Sequence, residues 1–78
     1  MTNKIVTKYK INVVEYDRSG YYYPKYRTEQ IVIADSLEEA EQKAIERTPM
    51  KHSSYDWSQY TELVNAEDVV VQVEEMEE

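Results

Sequence analysis

The sequence predicts an α+β fold: a three- or four-stranded, mostly antiparallel sheet with one helix packed on one face, in the order strand, strand, helix, strand. Three observations predict it. KIVTKYKINVVEYD and RTEQIVIAD alternate apolar and polar residues with the period of two that a strand requires when one face is buried and the other is wet. DSLEEAEQKAIERTP carries start and stop signals of a helix, and DVVVQVEEM closes the chain as a further β-branched run.

In the first run Tyr9, Ile11 and Val13 share one face, and Lys8, Lys10 and Asn12 the other. Val14 and Tyr16 break the alternation, which predicts either a bulge or burial of the second face near the end of the strand. The second run sets Ile31 and Ile33 against Thr28, Gln30, Val32 and Ala34. Joined by a turn, the two runs form an antiparallel hairpin.

Ser36 followed by Glu39 reads as a capping box, in which the hydroxyl accepts from the Glu39 N–H and the carboxylate reaches back to the Ser36 N–H. Glu38, Glu39 and Glu41 lie in the positive first turns, Lys43 and Arg47 near the negative end, and Pro49 forbids continuation. Leu37, Ala40, Ala44 and Ile45 fall on one face, and the alanines there allow close approach to the sheet. Residues 56–64 satisfy two patterns: Trp57, Tyr60, Leu63 and Val64 recur at helical spacing, whereas Tyr60, Glu62 and Val64 suit a strand. The expectation is an irregular loop entering a short strand or turn near residues 60–64. The last run then places Val69, Val71 and Val73 opposite Val70, Gln72 and Glu74.

Seventy-eight residues make one domain, spanning 1–78, with the acidic end from residue 75 expected to fray. There is no cysteine, so neither a disulfide nor a thiolate metal site holds the fold, and a reducing cytoplasm fits best. No run approaches the roughly 18 apolar residues that span a bilayer, and MTNKIVTKYK lacks the apolar core of a signal peptide. The expectation is a cytoplasmic protein without a membrane partner.

The net charge of −7 is unevenly distributed. All nine Lys and Arg lie at or before Lys51 among eight acids, and the remaining residues carry eight acids and neither cation. Such a segment repels phosphate and attracts a basic protein surface, or serves as a solvated tail. Catalytic chemistry is poorly supplied. His52 is the only histidine, in a polar loop beside Ser53 and Ser54, and the single glycine, Gly20, excludes a glycine-rich phosphate loop. The acids cluster in the first turns of the helix and in the tail, without the contrasting environments that acid–base catalysis needs. Neither catalytic, cofactor-binding nor metal residues are assigned.

SGYYYPKYR concentrates four tyrosines and two cations around Gly20. Ser19 and Gly20 supply turn chemistry, and the rings either fill cross-strand and core positions or form a contact surface. On the second reading Tyr22, Lys25, Tyr26 and Arg27 make an amphipathic patch, because Tyr and Arg are favoured at interfaces. The same residues suit stacking on single-stranded nucleic acid, which the net charge and the absence of a long basic stripe oppose.

KYKINVVEY, IVIADSLEEAEQKAIE and LVNAEDVVVQVEE together resemble the small proteins of bacteriophages and mobile elements, including the DpnD/PcfM-like group. The tyrosine-rich hairpin departs from that group, and the resemblance carries over no site residue. It implies an accessory protein that binds and blocks a host defence or nucleic-acid-processing protein, with the C-terminal acids standing in for DNA phosphates. The resulting expectation is a non-enzymatic protein-binding module whose partner has a basic surface. Its contacts are Tyr22, Lys25, Tyr26 and Arg27 in the hairpin and Glu67, Asp68, Glu74 and Glu75 at the acidic end. The alternatives are a homo-oligomeric assembly protein, in which the last valine-rich strand pairs across a two-fold axis, and a single-strand-binding protein.

Overall fold

The computed structural model describes residues 2–19, 26–52 and 55–73. Its elements are β1 (Thr2–Asp17), β2 (Tyr26–Ala34), α1 (Leu37–Glu46) and β3 (Trp57–Val73). They form the α+β arrangement that the sequence predicts. β1 is central, with β2 and β3 antiparallel on either side in the order β2-β1-β3. None of the described helical residues forms a segment long and apolar enough to cross a membrane.

One face of the sheet carries the core. Ile11, Val13, Val32 and Ala34 pack against Ala40 and Ala44 of α1, with Tyr9 at the margin. The two alanines are fully buried, and Leu37 and Ile45 remain partly exposed at the sides of the helix. Small side chains at the point of contact bring the helix close to the strands. On the opposite face Val14 is also fully buried, in a row between Arg27 and Tyr60, while Tyr16 and Tyr60 meet edge to face at 5.3 Å. The broken alternation at Val14 therefore marks burial of a second face.

The bulge lies in the partner strand. Lys10 pairs with Asn65 and Ile11 with Leu63, so Val64 is the extra residue. This corrects the reading of residues 56–64: the segment is extended from Trp57 onward and belongs to one continuous strand ending at Val73. The sheet consequently has three strands. The bulge shifts the side-chain phase in mid-strand, which makes the segment look irregular when it is read alone.

Helix α1 begins as expected. Ser36, in extended backbone at the N-cap, accepts a hydrogen bond of 3.2 Å from the Glu39 N–H. The returning carboxylate goes one residue further than a capping box requires, accepting from the Asp35 N–H at 3.3 Å and pairing with Lys43 at 3.2 Å. The Lys43 contact and the Asp35 N–H hold the Glu39 carboxyl below its ordinary range.

Beyond the end of β2 the sheet narrows to a two-stranded arm. β2 reaches only to Thr7, where Ala34 is its partner, whereas β1 and β3 stay paired out to Thr2 and Val73. Seventeen extended residues span roughly 56 Å at 3.3 Å per residue, matching the longest axis of the molecule, 56 Å. The radius of gyration is 16.3 Å. A spherical domain of this length would have about 11.5 Å, so the arm accounts for a strongly elongated shape.

Candidate functional site

At the end of the sheet remote from the arm, each strand sends one polar side chain to hold the segment that follows α1. Gln30 of β2 donates to Thr48 Oγ1 at 2.8 Å, and Gln59 of β3 donates to the Thr48 carbonyl at 2.7 Å. Thr48 itself is buried and donates to the Ala44 carbonyl at 2.8 Å. Glu15 of β1 completes the set. Its carboxylate accepts from the Lys51 N–H at 2.7 Å and the His52 N–H at 2.9 Å, and meets His52 Nδ1 at 2.5 Å.

Glu15 is 4 % exposed, on the strand face that also carries Ile11 and Val13. Burial alone raises its pKa, but the Lys51 N–H, the His52 side chain and the His52 N–H together outweigh that and hold the carboxyl below its ordinary value of 4.5. An ionised carboxylate has no proton to give, so Nδ1 is the donor.

This anchoring displays an aromatic platform. The His52 ring stacks on Trp57 with centroids 3.7 Å apart and planes 8° from parallel. Tyr26 flanks both rings, 5.5 Å from His52 and 6.0 Å from Trp57, and Lys51 Nζ lies 5.2 Å from the Tyr26 ring centre. Nearby, Arg18 donates to the carbonyls of Asp56, through its N–H at 2.6 Å, and of Tyr55, through its guanidinium at 2.7 Å. Those two bonds fix the backbone around Tyr55, whose side chain is exposed; the residue as a whole is 83 % exposed. Among the described residues no enclosed pocket forms, and no three His, Cys, Asp or Glu side chains gather as metal ligands. The surface is suited to broad apolar and cation–π contact.

The candidates named from sequence are dispersed. Tyr22, Lys25, Glu74 and Glu75 lie outside the described residues. Tyr26 belongs to the platform, whereas Arg27 projects from the opposite face and pairs with Glu62 at 3.1 Å. Glu67 pairs with Lys8 at 3.1 Å, and Asp68 accepts from Thr7 Oγ1 at 3.0 Å. Ten residues separate Glu67 from Trp57 along β3, roughly 33 Å, so among the described residues Glu67 and Asp68 lie far from the Tyr26 and Trp57 rings. The charge segregation seen along the chain is also reduced in space, because antiparallel pairing lays Lys8 of β1 beside Glu67 of β3, and Arg27 of β2 reaches Glu62 of β3. Read from sequence, His52 is an ordinary loop residue. The signal pointing elsewhere was Glu15, a carboxylate in phase with Ile11 and Val13 that required buried donors.

The site and fold together define a small α+β protein with a surface-mounted aromatic cluster. No family model, curated protein or solved structure matches the chain.

The Glu15 network makes stability pH-dependent. A carboxyl whose folded pKa is depressed contributes stability that is present above its unfolded value and lost as pH falls through the folded one. Denaturant midpoints measured between about pH 7 and about pH 3 should fall more steeply for the wild type than for Glu15→Gln. Parallel curves would show that the carboxylate contributes nothing that acid can remove.

Proposed function

We propose that the protein is a non-enzymatic protein-binding module that engages its partner through the Tyr26, His52 and Trp57 platform. The observation supporting this reading is the ordered stack of rings at the surface, anchored by hydrogen bonds to a buried carboxylate. Rings fixed in this way lose little side-chain entropy on binding, and Trp and Tyr supply a large share of the energy at protein interfaces. The described acids favour this surface over charge mimicry, since Glu62 and Glu67 already face cations and Asp68 is hydrogen-bonded. A host protein with a basic groove, engaged by the acidic end of the chain, is the competing form of the same proposal.

Affinity capture from a lysate of the source organism, with and without nuclease, tests the two forms together. The expected result is a stoichiometric protein that survives nuclease and is lost with Tyr55→Ala or Lys51→Ala, both exposed changes. Retention by these variants, combined with loss when Glu67, Asp68, Glu74 and Glu75 are neutralised together, would transfer the function to the acidic end. Recovery of nucleic acid in place of protein would overturn both.

A further inference from the structure

The two outer edges of the sheet are treated differently. Along β2 the main-chain carbonyls of Ile31 and Ile33 accept from Arg47 Nη1 and Lys43 Nζ, each at 3.3 Å, so side chains from the helix occupy that edge. β3 has β1 on one side and, among the described residues, no strand on the other. Its first part is defended by Glu62, the bulge at Val64, Glu67 and Asp68, devices that discourage strand addition. Residues 69–73 read VVVQV, with no charge, proline or bulge, and among the described residues no side chain bonds their main chain. They also form the arm, where Ile5 and Val70 are 70 % and 65 % exposed. A two-stranded ribbon is marginal in water on its own, and a third strand along this edge would cover part of the exposed apolar arm.

We propose that this edge pairs with the same edge of a second copy, antiparallel across a two-fold axis at Val70, joining two three-stranded sheets into one of six strands. The sequence is self-complementary in that register. Val70 opposes Val70, Val69 opposes Val71, and Gln72 opposes Asp68, whose carboxylate can accept from the amide, while the one apolar residue set against an acid, Val73 against Glu67, lies at the end of the pairing. No acid of the described strand opposes another acid. Because Ile5 is the β1 partner of Val70, one face gains an uninterrupted row of Ile5, Val70, Val70 and Ile5 across the axis. Moving the axis to Val69 sets Val70 against Asp68 and Val71 against Glu67; moving it to Val71 sets Val70 against Gln72 and breaks the apolar row through Ile5. The contact is isologous, as a closed dimer requires, and it lies at the opposite end of the molecule from the aromatic platform.

Light scattering over a dilution series should give twice the chain mass of 9.3 kDa for the wild type and 9.3 kDa for Val70→Lys, which sets two cations together at the axis. Both proteins should have the same far-UV circular dichroism. Paired residues of an antiparallel sheet have Cα atoms roughly 4.5 to 5.5 Å apart, within disulfide range. Oxidised Val70→Cys should therefore form a covalent dimer, while Val64→Cys, out of register, should form no covalent dimer under denaturing electrophoresis; the wild-type chain has no cysteine to confuse the result. A wild type that is monomeric throughout the series overturns the proposal. So does a dimer that folded Val70→Lys leaves intact.

Discussion

Glu15→Ala is expected to lower the stability of the protein by roughly 3 kcal/mol and to free the segment after α1 from the sheet. The carboxylate is the common acceptor for two main-chain N–H groups and for His52 Nδ1. Its removal leaves these part-buried donors without that partner, each costing up to about 1 to 3 kcal/mol and less where water reaches it. The loss should appear as a lower denaturant midpoint. Trp57 is the only tryptophan, and its emission should change because the stacked His52 is held by the same carboxylate. Glu15→Gln separates shape from charge: the amide keeps the volume but turns its own N–H groups toward donors, so rescue should be partial. A Glu15→Ala protein with wild-type stability and emission would mean that Gln30 and Gln59 alone hold the segment through Thr48.

Ile11→Ala should be at least as damaging, at roughly 3 to 5 kcal/mol. Ile11 is fully buried under the helix, and its cross-strand neighbours are Gln30 and Leu63. The cavity left by truncation has little around it that can move in. Ala40 and Ala44 present only methyl groups, and Gln30 is held by Thr48. A domain of this length has roughly 4 to 12 kcal/mol of total stability, so this one change is expected to consume a large part of it. Ile31→Ala, on the open face, should cost about 1 kcal/mol or less in the same urea titration. Equal losses at the two positions would contradict the assignment of the buried face.

The two surfaces make separable claims. The platform requires aromatic and cationic side chains at the loop end, whereas the arm requires a self-complementary edge at the other. A variant that abolishes dimerisation through Val70 should keep its partner, and one that loses the partner through Tyr55 should keep its dimer. Coupling between these outcomes would place both functions on one surface.

Much of the architecture was legible because it depends on local rules. Alternation around Tyr9, Ile11 and Val13 assigned the buried face of β1, Ser36 and Pro49 bracketed α1, and Ala40 and Ala44 announced close packing on the sheet. These features act within one helical turn or along one strand, where side-chain spacing and hydrogen-bond geometry leave few choices. The continuity of β3 and the Glu15 to His52 contact were not legible in that way. β3 is one strand because β1 offers a template along almost its whole length, pairing Thr2 with Val73 and Asp17 with Trp57, and the bulge at Val64 absorbs the change of phase. His52 lies 37 residues from Glu15, and only the path of the chain after the helix brings them together. The sequence by itself determined which segments could bury a face and which residue would cap the helix. Tertiary structure alone decided which distant segments shared a register, which charges were neutralised across the sheet and which ring met the buried carboxylate, because each of these depends on contacts between residues that no local periodicity connects.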